Sequence, residues 1–173
     1  MRNTTIAPEL VSLLDTGALA DIRERFLAEG GLPNGTDADG NPVLFRVIYR
    51  RRLEVADYLI EAGADIDGTD PGGWTPLFWA AFNGHADLVD FLLARGANPD
   101  GTTREGDQAL VIAAYKGFFD VVKSFVTAGA CGFDADQSGL TAFQVARMRG
   151  HTRIQALLLS DPKFPRNGKS APH

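Results

Sequence analysis

Apolar positions along the chain recur on two nested scales. At short range they follow helical spacing: Leu88, Val89, Leu92 and Leu93 share one face of a stretch running from His85 to Arg95. A shorter apolar run, Leu77 to Phe82, precedes it. Pro76 stands at its first position, where the missing N–H has no intrahelical partner, and Gly84 closes it. At long range the same residue types return every 33 residues. Leu44, Leu77, Leu110 and Phe143 form one ladder, Val47, Ala80, Ala113 and Ala146 a second, and Leu59, Leu92, Phe125 and Leu158 a third. The punctuation keeps the same period. Gly40, Gly73, Gly106 and Gly139 are in register, as are Asp37, Asp70 and Asp136, with Thr103 in the remaining place. Gly63-Ala64, Gly96-Ala97 and Gly129-Ala130 mark the ends of copies.

One copy, residues 70 to 102, therefore predicts a turn, a short helix, a second helix and an extended loop. Asp70-Pro71-Gly72-Gly73 is turn chemistry. The alanines at 80, 81, 113 and 114 allow short helices of neighbouring copies to approach closely. Taken together, Gly73, Thr75-Pro76-Leu77, Ala80-Ala81, Gly84-His85, Leu92-Leu93 and Gly96-Ala97 resemble the ankyrin repeat. The resemblance implies an all-α solenoid of about five helix-turn-helix units, joined by hairpin-like loops and closed by polar caps. It divides residues 1–160 into one domain with units 4–36, 37–69, 70–102, 103–135 and 136–160, followed by a flexible tail at 161–173, which is rich in Pro, Lys and Ser.

Departures from the family pattern carry their own expectations. Thr-Pro becomes Pro42-Val43, Gln108-Ala109 and Thr141-Ala142 in the other copies. Phe45, Phe78, Val111 and Gln144 take the place of the family histidine, so apolar packing is expected to replace its hydrogen bonds. Arg51 stands where other copies have Gly84, Gly117 and Gly150, and a distorted turn is expected there. At the ends, Arg147 replaces an alanine, and Gln155 replaces Ala56, Val89 and Val122, with Arg23 in the same place of the first unit. Polar atoms there suit terminal faces that meet water. Gly30-Gly31-Leu32-Pro33-Asn34-Gly35-Thr36 aligns with Gly96 to Thr102 and makes the first segment a genuine unit.

Composition narrows function. The 173 residues are 45% hydrophobic and 23% charged, with 17 basic against 22 acidic side chains and a net charge of −5. That balance argues against a dedicated nucleic-acid binder. Cys131 alone forms no intramolecular disulfide, which favours a reducing compartment. No apolar run reaches the roughly 18 residues of a membrane span, and Met1 to Glu9 lacks a signal-peptide core. A cytoplasmic location without membrane association is expected.

Catalytic constellations do not emerge. His85 and His151 occupy equivalent repeat positions, which favours packing or capping at the start of the second helix, and His173 is terminal. Gly72-Gly73 belongs to a turn and not to a phosphate-binding loop. Asp134, Asp136 and Ser138-Gly139 resemble the start of a calcium loop, but its twelfth position is Val145 and the segment is in register with the other hairpin turns. The reading is no catalytic residue, no metal and no cofactor.

What remains is a surface. In the ankyrin fold, the resemblance implies, hairpin tips and first helices line a concave face that binds partners. The last turns of the first helices carry Tyr49-Arg50, Phe82-Asn83, Tyr115-Lys116 and Met148-Arg149, which should form parallel apolar and polar stripes. Trp74 and Trp79 extend the apolar one, and Arg46 belongs to a basic cluster with Arg50, Arg51 and Arg52 suited to an acidic partner surface. The sequence thus points to a non-enzymatic module, monomeric when unbound, that binds another protein and blocks, sequesters or stabilises it. The competing reading is a ligand sensor in which Trp74, Trp79, Phe82 and Lys116 hold a nucleotide or short single strand.

Overall fold

A computed structural model describes residues 5–28, 33–130, 132 and 134–162. Among these residues there are ten short α-helices and no extended strand. In chain order they are α1 (Pro8–Thr16), α2 (Leu19–Ala28), α3 (Val43–Tyr49), α4 (Leu53–Glu61), α5 (Pro76–Phe82), α6 (Ala86–Ala94), α7 (Ala109–Lys116), α8 (Phe119–Thr127), α9 (Ala142–Met148) and α10 (Thr152–Ser160). The fold is an all-α repeat array. It divides into two compact bodies, one ending at Pro76 and one beginning at Leu77.

In the first body α1 packs against α2 and α3, and α3 against α4. Leu10, Leu14, Ile22, Phe26, Leu44, Val47, Ile48 and Leu59 are buried there. In the second, α7 packs against α8 and α9, α8 against α6 and α10, and α9 against α10. Its core holds Leu77, Leu88, Leu92, Leu110, Phe125, Ile154 and Leu158, with Ala80, Ala81, Ala113, Ala114 and Ala146 sealed between helices. The 33-residue ladders are thus the buried faces of successive helices. Phe143, the last rung of the leucine ladder, is only half-buried.

The acidic ladder closes the hairpins. In each of four turns a backbone N–H donates to the carbonyl four residues on: Asp37 to Asn41, Asp70 to Trp74, Thr103 to Asp107, and Asp136 to Leu140. The side chain at the first position then takes the returning N–H. Asp37 Oδ1 accepts from Asn41, Asp70 Oδ1 from Trp74, Asp136 Oδ1 from Leu140, and the Thr103 hydroxyl from Asp107. Asp136 also accepts from the Ser138 N–H and hydroxyl, which turns its carboxylate toward its own backbone. The glycine at the fourth position reverses the chain at φ between +77° and +85°, a region that glycine enters without steric cost.

Several sequence expectations change. Arg51 does not distort its turn. It adopts φ +59°, and the Arg52 N–H still donates to Val47 O at 2.8 Å, as His85 does to Ala80 at 2.9 Å. The Arg52 guanidinium donates to the carbonyls of Leu14 and Gly17, tying the turn to α1. Phe45, Phe78 and Val111 are buried, but Gln144 is exposed and builds a capping box instead. The Thr141 hydroxyl accepts from the Gln144 N–H at 3.1 Å, and the Gln144 amide oxygen accepts from the Thr141 N–H at 2.9 Å.

At the ends Arg147 is exposed, whereas Gln155 reaches back toward Ala146 O, and Arg23 lies 5.2 Å over the Tyr58 ring of α4. Asp161, placed in the tail by sequence, is buried at the end of α10. Residues 30–32, Cys131 and residues 163–173, including His173, lie outside the described residues.

Candidate functional site

Of the side chains singled out by sequence, Arg46, Tyr49, Trp79, Phe82, Tyr115, Lys116 and Met148 sit on the last turns of α3, α5, α7 and α9. Arg50, Asn83 and Arg149 directly follow those helices, and Trp74 lies in the hairpin before α5. A seven- or eight-residue helix buries one face, and the residue that closes its second turn projects away from the neighbouring helices. Tyr49 is 54% exposed, Tyr115 46% and Met148 70%. Phe82, at the equivalent place of α5, is only half-buried, with its ring 6.3 Å from that of Phe78. The large apolar residues at this repeat position therefore do not all reach solvent equally.

In the second body the two expected stripes interleave. The Lys116 ammonium lies 3.4 Å from the centre of the Phe82 ring, and the Arg149 guanidinium 4.5 Å from that of Tyr115. Each ring is thus covered by the cation of the next copy. Such contacts contribute about 0.5–1 kcal/mol when exposed. Neither cation has a carboxylate within ion-pair distance among the described residues. Asn83 is turned to the chain, donating from Nδ2 to Trp79 O at 2.8 Å. The Trp79 ring is half-buried and 5.4 Å from the His85 ring. A histidine one repeat-pair further on ties copies together: His151 Nε2 lies 3.1 Å from Tyr115 O, bracing the turn that presents Tyr115 and Lys116.

In the first body the basic cluster is largely committed internally. Arg46 grips Asp15 through two nitrogens, at 2.7 and 2.6 Å, and reaches Asp37 at 3.1 Å. Arg50 adds a looser contact to Asp15 at 3.5 Å. The hydrogen bond from Arg46 holds the Asp15 carboxyl below its ordinary pKa, reinforced by the charges of Arg46, Arg50 and Arg52 against a smaller opposing effect of burial. Arg46 is correspondingly pushed up by Asp15. These residues border a hollow of about 220 Å³, lined by Asp37, Asn41, Phe45, Arg46, Tyr49 and Arg50. Arg46 is therefore a wall of this hollow and not a free charge, while the half-exposed Arg50 guanidinium faces outward. Trp74 is half-buried at its hairpin.

Sequence reasoning missed Asp15. The first unit lacks the repeat pattern that would flag it, and only its partner Arg46, a charge in a helix otherwise apolar from Val43 to Ile48, hinted that an acid lay nearby.

Family models provide the remaining comparison. A model described as ankyrin repeats (3 copies) matches residues 15–103, and one described as ankyrin repeats (many copies) matches residues 84–126. No curated protein matches the chain. The first match alone spans α2 to α6, and the hairpins, paired helices and left-handed glycines at 33-residue intervals carry the same pattern in three dimensions. The chain belongs to the ankyrin repeat family.

Proposed function

We propose that this chain is a non-enzymatic binding module that captures a partner protein through residues on its first helices, and that it acts by blocking, sequestering or stabilising that partner. Ankyrin repeats are generally protein–protein interaction modules. The observation that carries the reading is the exposure of Tyr49, Tyr115 and Met148 at one repeat position, since large apolar side chains held in solvent by short, rigid helices are the type that dominates binding energy. A preformed surface also loses little entropy on association. Arg50, Lys116 and Arg149 add polar anchors beside these residues, and Asn83, Trp74, Trp79, Phe82 and Arg46 complete the partner-binding set, with Phe82 beneath Lys116 and Asn83 bonded to Trp79.

The ligand-sensor alternative gains no support from the geometry. A stacked base needs a free ring face, yet Lys116 occupies one face of Phe82 and His85 lies against Trp79.

The test is a triple variant, Tyr49→Ala, Tyr115→Ala and Met148→Ala, used as bait beside the wild type in native extract. Because all three are exposed, stability is expected to fall by less than about 1.5 kcal/mol, while partner capture falls at least about tenfold, the loss of a single hot spot. Capture that survives the triple change, or turnover by the purified chain, overturns the reading.

A further inference from the structure

The cations that sequence analysis placed in the second unit are mostly spent inside it, and the unpaired ones lie elsewhere. Arg46 is held by Asp15 and Asp37, Arg50 shares Asp15, and Arg52 donates to two α1-side carbonyls. Lys116 and Arg149, in contrast, carry no carboxylate partner among the described residues and rest on the rings of Phe82 and Tyr115. An aromatic ring attracts a cation without neutralising it, so both charges remain available to an incoming anion.

The charge of the chain is unevenly divided. Residues 1–76 contain 7 basic and 13 acidic side chains, residues 77–173 contain 10 and 9. The first body therefore carries −6, and residues 77–162 of the second, with 7 basic and 9 acidic side chains, carry −2, so the attraction for an acidic ligand is local to Lys116 and Arg149 and is not a net field. Two of its hairpin acceptors, Asp136 and Thr103, are turned onto their own backbone N–H groups.

Spacing selects the ligand further. Lys116 and Arg149 occupy equivalent places in adjacent copies, and packed helices lie about 8–10 Å apart. A polyproline II segment has three residues per turn and rises about 3.1 Å per residue, so carboxylates three residues apart lie on one side of it about 9 Å apart. Tyr115 and Met148, both exposed, lie beside these cations and offer apolar contact to the residues between the acids.

We propose that the face of α7 and α9 binds an acidic segment of the partner protein in the polyproline II conformation, with carboxylates at every third residue seated on Lys116 and Arg149 and small apolar residues between them against Tyr115 and Met148. This deepens the partner-binding reading above and rests on it.

Three labelled peptides of equal length test it by fluorescence anisotropy with the purified full chain at low salt. One repeats Glu-Ala-Pro, one repeats Gln-Ala-Pro, and one has the composition of the first with its glutamates clustered at one end. A single-stranded oligonucleotide of equal charge is the fourth probe. The evenly spaced acidic peptide is expected to bind at least about tenfold more tightly than the other three and to weaken steeply with added salt. Lys116→Glu with Arg149→Glu is expected to abolish its binding. Lys116→Arg with Arg149→Lys, which keeps both charges, is expected to leave affinity within about twofold, and circular dichroism reports whether each variant is folded.

Undiminished binding by the folded charge-reversed chain overturns the proposal. So does equal binding of the glutamine or clustered peptide, tighter binding of the oligonucleotide, or no binding of the spaced acidic peptide. If any of these occurs while partner capture still depends on Tyr49, Tyr115 and Met148, the ligand chemistry alone is wrong. If capture is also indifferent to those residues, the binding face itself is wrong.

Discussion

Arg51 shows how much a single backbone angle costs and how a neighbour offsets it. It holds φ at +59° where Gly84, Gly117 and Gly150 hold theirs between +75° and +81°. The left-handed region costs an L-residue about 1–2 kcal/mol, part of which glycine returns through the entropy of its unfolded chain. Arg51→Gly is therefore expected to raise stability by about 0.5–1 kcal/mol, measurable as a shifted urea midpoint without a change in slope. The converse holds at Gly117, where an added Cβ would meet the His151 ring at 2.6 Å in addition to the unfavourable angle. Gly117→Ala is expected to cost about 2 kcal/mol and to loosen the His151 contact to Tyr115. Sequence revealed that Arg51 broke the glycine ladder. It did not reveal that the turn would persist, because the compensation comes from Arg52 reaching carbonyls 35 and 38 residues away.

Single helices in this chain are too short to stand alone, so their ends matter. Isolated helices below about 12–15 residues are marginal in water, and all ten here have ten residues or fewer. Packing of the ladder residues supplies most of their stability, and caps tune it. In α9 the Thr141–Gln144 box satisfies N-terminal donors that no other first helix satisfies by a side-chain cap among those with a described cap. Thr141→Ala is expected to destabilise the chain by about 1 kcal/mol, with the largest loss of hydrogen-exchange protection in α9. Helix positions were legible to within a residue: the stretch read as His85 to Arg95 is Ala86–Ala94 with both outer residues as caps. Periodicity locates such elements because it records which face is buried. It does not identify what satisfies the ends, and Gln144, read as a packing position, is exposed and caps α9 instead.

For the molecule as a whole, acidity is unevenly held, and one pair bears on its pH dependence. Asp15 has a folded-state pKa below its unfolded value, so the native form binds the proton less readily. Its contribution is fully present above the ordinary carboxylate pKa of about 3.9 and is lost as pH falls through that value toward the depressed one. Both partners are partly shielded, Arg46 at 23% and Asp15 at 15% side-chain exposure. The cost of Asp15→Asn at neutral pH should thus lie between the roughly 0–1 kcal/mol of a surface pair and the 3–5 kcal/mol of a buried one, at about 2 kcal/mol. Urea unfolding at pH 7 and pH 3 checks this: the variant should lose less stability on acidification than the wild type. Hydrogen exchange should place the difference in α1 and α3.

The repeat period, the helix pairs, the hairpin turns and the family follow from the amino-acid order alone, because each depends on interactions within about 33 residues that recur until they are unmistakable. The order also singled out Tyr49, Tyr115 and Met148, since a large apolar residue at a position the core does not use stands out against its ladder. Which cations are free was decided only in three dimensions. Arg46 and Lys116 look alike as letters, but one lies within hydrogen-bond reach of an acid 31 residues upstream and the other lies on a ring of the preceding copy. Ion pairing and ring stacking act over a few ångströms between residues distant in sequence, so they become legible only when the copies are packed together.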